Sequence, residues 1–569
     1  VPHRFAWLLT AVSLCLPALA ADDAARPRAM STGDFAALLS TVPPRIQAPG
    51  ALPAPIALAA TWDRALVHEA YRAAAQSLRM QGVHAVLGPS LEVGRDPRRG
   101  QPEQTFGEDP YLVAEMGVAA IMELQSSGEA PLAVAATGFV GPALPRDGAG
   151  TSPMSERELR QVYAAPYAQA IARADVIAIV PARNEMGGIP SHANARLLKD
   201  LLRGEMHFRG LVVADPAGIA DLASVYHVAA NGEDAARLAK AAGVDVIPRD
   251  GGAPTIAVEV PDAIALAAAT RSITLLKNDG GALPLAASRG ALPRVAVVTL
   301  GNAYEIAKAI RDQATGRADV VDIEAGPDRI VVIAGSDAPA DRLREIVAQA
   351  PQRPVIVVAA GDRPELDAEV ADQASAVLAA WALGNAGPRA VAAVLFGDAN
   401  PGGKLPVTLA RSMGQLPLFH DAKPSSRRGY LFGPSEPLFP FGGGLSYTTF
   451  EIGAPRLSAP QVDAASSVTV SVDVRNTGAR AGDETIQLYA REKVSPVARG
   501  AQQLAGFERV TLAPGESRTV SLPLSAPALA LWDASMQRVV EPGEYEVMTG
   551  PDSAHLQSAP LTIVSRGAR

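Results

Sequence analysis

Asp215 is the side chain of this sequence best placed for chemistry. It follows the apolar run 211–214, so it ends a strand and opens a loop. In parallel α/β folds the C-terminal ends of strands build the active site. A carboxylate there can attack an electrophilic carbon or carry a proton. The pair Asp215-Pro216 also suits a helix N-cap followed by proline at the first helical position, and both readings stay open. Glu185 and Asp147 are further acids on loops of the same region. Asp337 and Asp341 lie further along and read equally well as a helix cap or a solvated loop. Other chemistries lack their residues. His192, His207 and His227 do not have metal-ligand spacing. Gly442-Gly443-Gly444 has no Lys-Ser/Thr after it and is no phosphate loop. No Gly-x-Ser-x-Gly elbow occurs.

The elements that must position Asp215 alternate along the first part of the chain. Residues 64–80 read as a helix, with Ala65, Leu66, Ala70, Ala73, Ala74 and Leu78 near a 3.6-residue period. Residues 84–87, 176–180, 211–214 and 244–247 read as strands, and 156–172, 194–202 and 235–242 as helices. Such alternation predicts a parallel sheet or a β/α barrel. A loop at about 250–254 then separates a second region. Its predicted strands are 295–300, 329–334, 354–360 and 376–380, with a helix at 340–349, which together make a parallel α/β layer. Its tail, 438–450, is rich in Gly, Pro and aromatics. From about 454 the pattern changes to short strands at 468–474, 485–490, 518–524 and 543–549. Turn signals such as Asn476-Thr477-Gly478 and Pro514-Gly515-Glu516 separate them, as in an all-β sandwich.

A chain of 569 residues is too long for one hydrophobic core, so several domains are expected. A hydrophobic share of 48% with 19% charged residues describes a globular protein rather than a disordered one. The net charge of -8 argues against nucleic acid as a partner. Residues 1–20 read as an export signal: His3 and Arg4, an apolar run, then Ala18-Leu19-Ala20 as a cleavage pattern. That run is short for a membrane span. Cys15, the only cysteine, lies inside this segment, so no disulfide or thiol chemistry is expected of the exported chain. The expected location is the bacterial periplasm or the outside of the cell.

Several collinear motifs resemble glycoside hydrolase family 3, the β-glucosidase family. They begin with Ala59-Ala60-Thr61-Trp62-Asp63 and continue with Gly94-Arg95-Asp96-Pro97-Arg98-Arg99-Gly100 and Thr105-Phe106-Gly107-Glu108-Asp109-Pro110. Asn184-Glu185, Gly188-Ile189-Pro190, Phe208-Arg209-Gly210-Leu211-Val212-Val213-Ala214-Asp215 and Leu275-Leu276-Lys277-Asn278 follow in the family's order. Pro440-Phe441-Gly442-Gly443-Gly444-Leu445-Ser446-Tyr447 and, later, Asn476-Thr477-Gly478 and Pro542-Gly543-Glu544-Tyr545 complete the series. The resemblance implies α/β plus all-β architecture: a shortened TIM-like (β/α) barrel over 21–270, a shortened α/β sandwich over 271–453, and a fibronectin-III-like β-sandwich over 454–569.

The resemblance also implies a retaining glycosidase working with two carboxyls about 5–5.5 Å apart and needing no cofactor or metal. Asp215 matches the family's nucleophile. Pro216 stands where the family has a tryptophan. Gln101, Thr137 and Arg183 occupy sugar-contacting positions with changed residues: Gln101 for an arginine, Thr137-Gly138 for a Lys-His pair, Arg183 for a tyrosine. The loop before Ala59, residues 43–55, lacks the family's early aspartate. The family's acid/base is a glutamate on a second-domain loop. Here Ala334-Gly335-Ser336 runs to Asp341-Arg342 with no glutamate between, leaving Asp337 or Asp341 as substitutes. Two readings follow: an exo-acting β-glycosidase with a relocated acid/base, or a carbohydrate-binding or scaffold protein with an impaired site. The expected partner is an oligosaccharide or β-glycoside. A carboxyl across a pocket from Asp215 favours the first reading, and a filled or flat barrel mouth the second.

Overall fold

The computed structural model describes residues 32–40, 43–48, 50–126, 132–142, 154–248, 253–285, 292–350, 352–361, 366–426 and 433–565. The segment expected to direct export, residues 1–20, lies outside them, as does Asp147. Among the described residues no helix is long and apolar enough to cross a membrane.

The first sheet has six parallel strands in the spatial order Leu211–Val212, Ala178–Pro181, Ala133–Phe139, Ala85–Ser90, Arg45–Ile46 and Thr255–Ile256. A parallel bridge from Val213 to Val246 extends it past Leu211–Val212. Because side chains alternate across a strand, the two faces divide cleanly. Val86, Val134, Ala136, Ile179 and Val212 join the outer core with the helices Arg64–Met80 and Pro110–Ser126. Ala85, Ala133, Ala135, Ala178, Val180, Leu211, Val213 and Val246 form a separate inner core. The alanines there lie at or near the starts of their strands, and Phe35, Leu38 and Leu39, on or just after the helix Thr32–Leu38, fill the space they leave. The barrel is therefore stoppered at the end where its strands begin.

The second layer runs Asp319–Val320, Arg294–Leu300, Arg329–Ala334, Val355–Ala360, Ala376–Ala380 and Thr274–Asn278. Five strands are parallel. The last is an antiparallel edge, which the sequence pattern did not reveal. The third domain packs two antiparallel-rich sheets around Val470, Val472, Ile486, Leu488, Val520 and Val547.

Several predicted elements shift. The strand expected at 84–87 runs on to Ser90. The segment 244–247 supplies one bridge instead of a strand. The helix expected at 156–172 is interrupted by a π-helical turn at Leu159–Tyr163, and that expected at 194–202 is π-wound over Arg196–Glu205. The loop at 250–254 does not end the first region, since Thr255–Ile256 still pairs with Arg45–Ile46. The helix Asp262–Ser272 then links the layers, with Ala268 in the first core and Ala265 and Ala269 in the second.

The three domains meet at two buried acids. Glu108 accepts from the Thr408 backbone N–H at 2.6 Å, the Thr408 hydroxyl at 2.7 Å and the His420 backbone N–H at 2.8 Å. Asp109 accepts from the Tyr111 and Leu112 N–H groups at 2.8 and 2.9 Å, capping the helix Pro110–Ser126, and pairs with His420 Nε2 at 2.9 Å. His420 stacks on Phe441 at 4.3 Å between centroids and meets Tyr489 of the third domain edge-on at 5.8 Å. Trp62 touches Phe441 and Phe507, each at 5.2 Å. Beside this cluster the buried Lys404 pairs with Glu484 at 2.6 Å, and Arg509 donates to the Thr61 and Gly402 carbonyls. Gly107 is required where it stands: its φ is +114°, and a Cβ there would collide with the Pro406 carbonyl.

Burial alone would lower the His420 pKa, but the hydrogen bond to Asp109 and the fields of Asp421, Asp109 and Glu108 raise it above the ordinary value. Its contribution to stability is complete below the unfolded value, about 6.5, and is lost as pH rises through the raised folded value. Thermal unfolding followed from pH 6 to pH 9 is expected to show a steeper alkaline decline in the parent than in His420→Gln. Parallel curves for the two proteins contradict this assignment.

Candidate active site

The inner face of the barrel opens, at the end where the strands finish, into a cavity of about 1110 Å³. Asp215, Gln101, Thr137 and Arg183 all line it, so the structure brings the four residues singled out from the sequence to one place. Glu92, Glu103 and Arg45 line it as well. Asp337 and Asp341 do not. Asp337 accepts from the Asn302 N–H at 2.7 Å within its own layer, and Asp341 is solvated and paired with Arg344 at 2.8 Å. Glu185 is spent on the backbone N–H of Gly188, inside the hairpin Glu185–Met186/Ile189–Pro190.

Asp215 caps a helix and also faces the cavity. Its Oδ1 accepts from the Ala217 N–H at 2.9 Å and caps the helix Pro216–Ser224, with Pro216 at the first turn. The same carboxylate lies on the cavity wall, and the positive end of the helix dipole favours its negative charge. Its backbone N–H donates to His192 Nε2 at 3.1 Å. His192 is enclosed, and burial pushes its pKa down to about 4, Asp215 opposing the shift and Arg183 adding to it. A neutral ring can accept at Nε2, so the imidazole acts as a fixed post behind the turn.

Arg183 reaches from the end of the strand Ala178–Pro181 to Asp221 on the Pro216–Ser224 helix, at 2.8 Å from Nε and 2.7 Å from Nη2. Its guanidinium thus stands half-exposed at the cavity rim, held by the same helix that Asp215 caps. Asn184 beside it donates to the Val140 and Pro142 carbonyls at 3.2 Å and accepts from Ser191 at 2.7 Å, so it shapes the loop. Gln101 precedes the short turn Pro102–Gln104 and is exposed. Thr137 offers its carbonyl to the Tyr167 hydroxyl at 2.7 Å and to the Leu91 N–H at 3.3 Å.

Sequence reasoning missed Glu92 and His192. Glu92 lies two residues beyond the strand end at Ser90, between the buried Leu91 and Val93. Ending that strand at 87 hid its position at the barrel mouth. An acid between two apolar residues just past a parallel strand is the signal that marks it. His192 carries no motif signal, since its role depends on the fold bringing residue 192 beneath residue 215. Among the described residues no group of His, Cys, Asp or Glu has the geometry to hold a metal.

Comparisons with known proteins agree on one family. The model of the glycosyl hydrolase family 3 N terminal domain matches residues 41–251, that of the family 3 C-terminal domain residues 273–447, and that of the fibronectin type III-like domain residues 484–553. The chain is 32% identical to a β-xylosidase of Formosa agariphila, over 90% of this chain and 87% of that protein. It is 29% identical to a periplasmic β-glucosidase of Salmonella typhimurium, over 90% and 84%. The solved structure of a β-glucosidase from Erythrobacter marinus is similar with a TM-score of 0.81 at 28% identity, covering 90% of this chain and 85% of that one.

His192 makes a testable demand on stability. Its folded pKa lies below the unfolded value of about 6.5, so its contribution is complete above that value and is lost as pH falls toward about 4. A proton taken up only on unfolding across that interval amounts to roughly 3 kcal/mol. Denaturant unfolding at pH 7 and pH 4.5 is expected to show this acid loss in the parent and a smaller one in His192→Asn. An equal acid loss in both contradicts the role given to the ring.

Proposed function

Because this chain belongs to glycosyl hydrolase family 3, we propose that it hydrolyses β-linked sugars with Asp215 as the nucleophile. The observation that carries the reading is the open cavity at the barrel mouth, with the Asp215 carboxylate on its wall. At about 1110 Å³ it is slightly larger than the usual small-ligand site, which suits an oligosaccharide or an extended β-glycoside. An Asp215 oxygen would bond to the anomeric carbon from one face while the aglycone departs from the other. Capping by the Ala217 N–H holds the carboxylate in one rotamer, and the His192 post fixes the backbone behind it. Both restraints keep the attacking atom in place, which lowers the entropic part of the barrier. Arg183, anchored by Asp221, and Gln101 supply donors for sugar hydroxyls in place of the family's residues. The setting we propose is the periplasm or the exterior of the cell, in keeping with the export-like segment at 1–20.

A second reading, sugar binding without turnover, draws on one observation: neither Asp337 nor Asp341 lines the cavity, so among the described residues the loop 334–342 brings no acid to it. Aryl β-glucosides and β-xylosides with good leaving groups separate the two, since their departure needs little protonation. The parent is expected to release the phenol from at least one of them, and Asp215→Ala to lose this activity while keeping its melting temperature within a few degrees. Binding of the sugar by the parent with no release across the panel selects the second reading.

A further inference from the structure

Resting on Asp215 as the nucleophile, we infer that Glu92 is the acid/base partner, giving its proton to the departing glycosidic oxygen. Both carboxyls line the one cavity, and each follows the C-terminal end of a strand of the same parallel sheet. The strands Ala133–Phe139 and Ala178–Pro181 lie between those two, so the acids enter the cavity from separate walls. Glu103 also lines it, but within the turn Pro102–Gln104, away from any strand end.

The space Glu92 occupies is specific. Gly138 has a φ of +90°, and a Cβ there would overlap Glu92 Cγ and lie 2.8 Å from its carboxyl carbon. Any side chain at 138 would displace this carboxyl. The glycine at 138 therefore leaves the room in which the Glu92 carboxyl lies. The carboxyl's surroundings are those of an acid rather than of a structural ion pair. Among the described residues no Lys, Arg or His makes an ion pair with it. The Ser90 hydroxyl lies 3.5 Å from Oε2, at the long limit of a hydrogen bond. Burial pushes its pKa up to about 7, with Ser90 and the more distant Arg45 offsetting part of the rise. Two carboxyls in one site whose surroundings differ in this way divide into proton donor and nucleophile.

The proposed steps balance. First, the Asp215 oxygen bonds to the anomeric carbon as the bond to the aglycone oxygen breaks, and the Glu92 proton passes to that oxygen. Then the Glu92 carboxylate takes a proton from water, the water oxygen bonds to the anomeric carbon, and the Asp215 ester bond breaks. The sugar leaves and both residues return to their starting forms.

The test compares full-length parent, Glu92→Gln and Glu92→Asp on a dinitrophenyl and a phenyl β-glycoside of the sugar the parent cleaves. Phenyl glycoside turnover by Glu92→Gln is expected to fall about 10²–10⁴-fold. The dinitrophenol burst should persist, and azide, which needs no base, should restore turnover and appear in the product as a glycosyl azide. The parent's kcat/KM is expected to fall as pH rises past about 7, and this limb to vanish in Glu92→Gln. Equal losses on both substrates, no loss on either, or an unmoved pH limb overturn the assignment. If Glu92→Gln fails to fold, Glu92→Asp carries the test through its pH limb, which must shift with the retracted carboxyl. A parent that cleaves nothing removes the Asp215 reading and this one with it. An active parent, an inactive Asp215→Ala and an indifferent Glu92→Gln remove this one alone.

Discussion

Two adjacent carboxyls, Glu108 and Asp109, must be satisfied in a place where water does not reach. A buried charge without partners costs several kcal/mol, so these acids dictate what surrounds them. Glu108 draws in Thr408 and the His420 backbone, and Asp109 draws in the His420 ring. Once His420 is fixed, its face must be covered, and Phe441 and Tyr489 cover it. One short motif of the barrel thereby holds segments some 300 residues away and positions the third domain. The same anchor ends the loop that leaves the strand Ala85–Ser90 and carries Gln101 and Glu103 past the cavity. The rim of the site therefore inherits its shape from a contact outside it.

This arrangement constrains some positions more than others. At the junction Gly107-Glu108-Asp109-Pro110 is tightly constrained, because both carboxyls there are fully partnered. Residues on the cavity wall are freer, since one side faces open space. Arg183 stands on that wall and is held by Asp221. Gly138 carries no side chain, and Glu92 fills the room.

Much of the fold was legible because period and burial agree. The helix at 64–80 and the strands at 329–334 and 376–380 have the bounds their patterns predict. The helix Pro110–Ser126 was not read, because it is apolar on nearly every side and shows no stripe: ten of its residues from Leu112 to Ile121 are buried. The edge strand Thr274–Asn278 was seen as a motif, but nothing local sets its direction. Asp215 was legible in the site because an apolar strand, an acid and a proline occur in succession. Glu92 was not, since its strand ran three residues further than the pattern suggested. His192 and Asp221 act through neighbours that only the folded chain supplies.

As the nucleophile, Asp215 would form a bond with the sugar at the mouth of this barrel. A fluorinated aryl β-glycoside, whose glycosyl-enzyme forms readily and breaks down slowly, tests it directly. After incubation and proteolysis, mass spectrometry is expected to find one fluorosugar on the peptide that contains Asp215, and none on the Asp215→Ala protein. A sugar carried by any other peptide, or an unmodified parent after release of the phenol, contradicts the account.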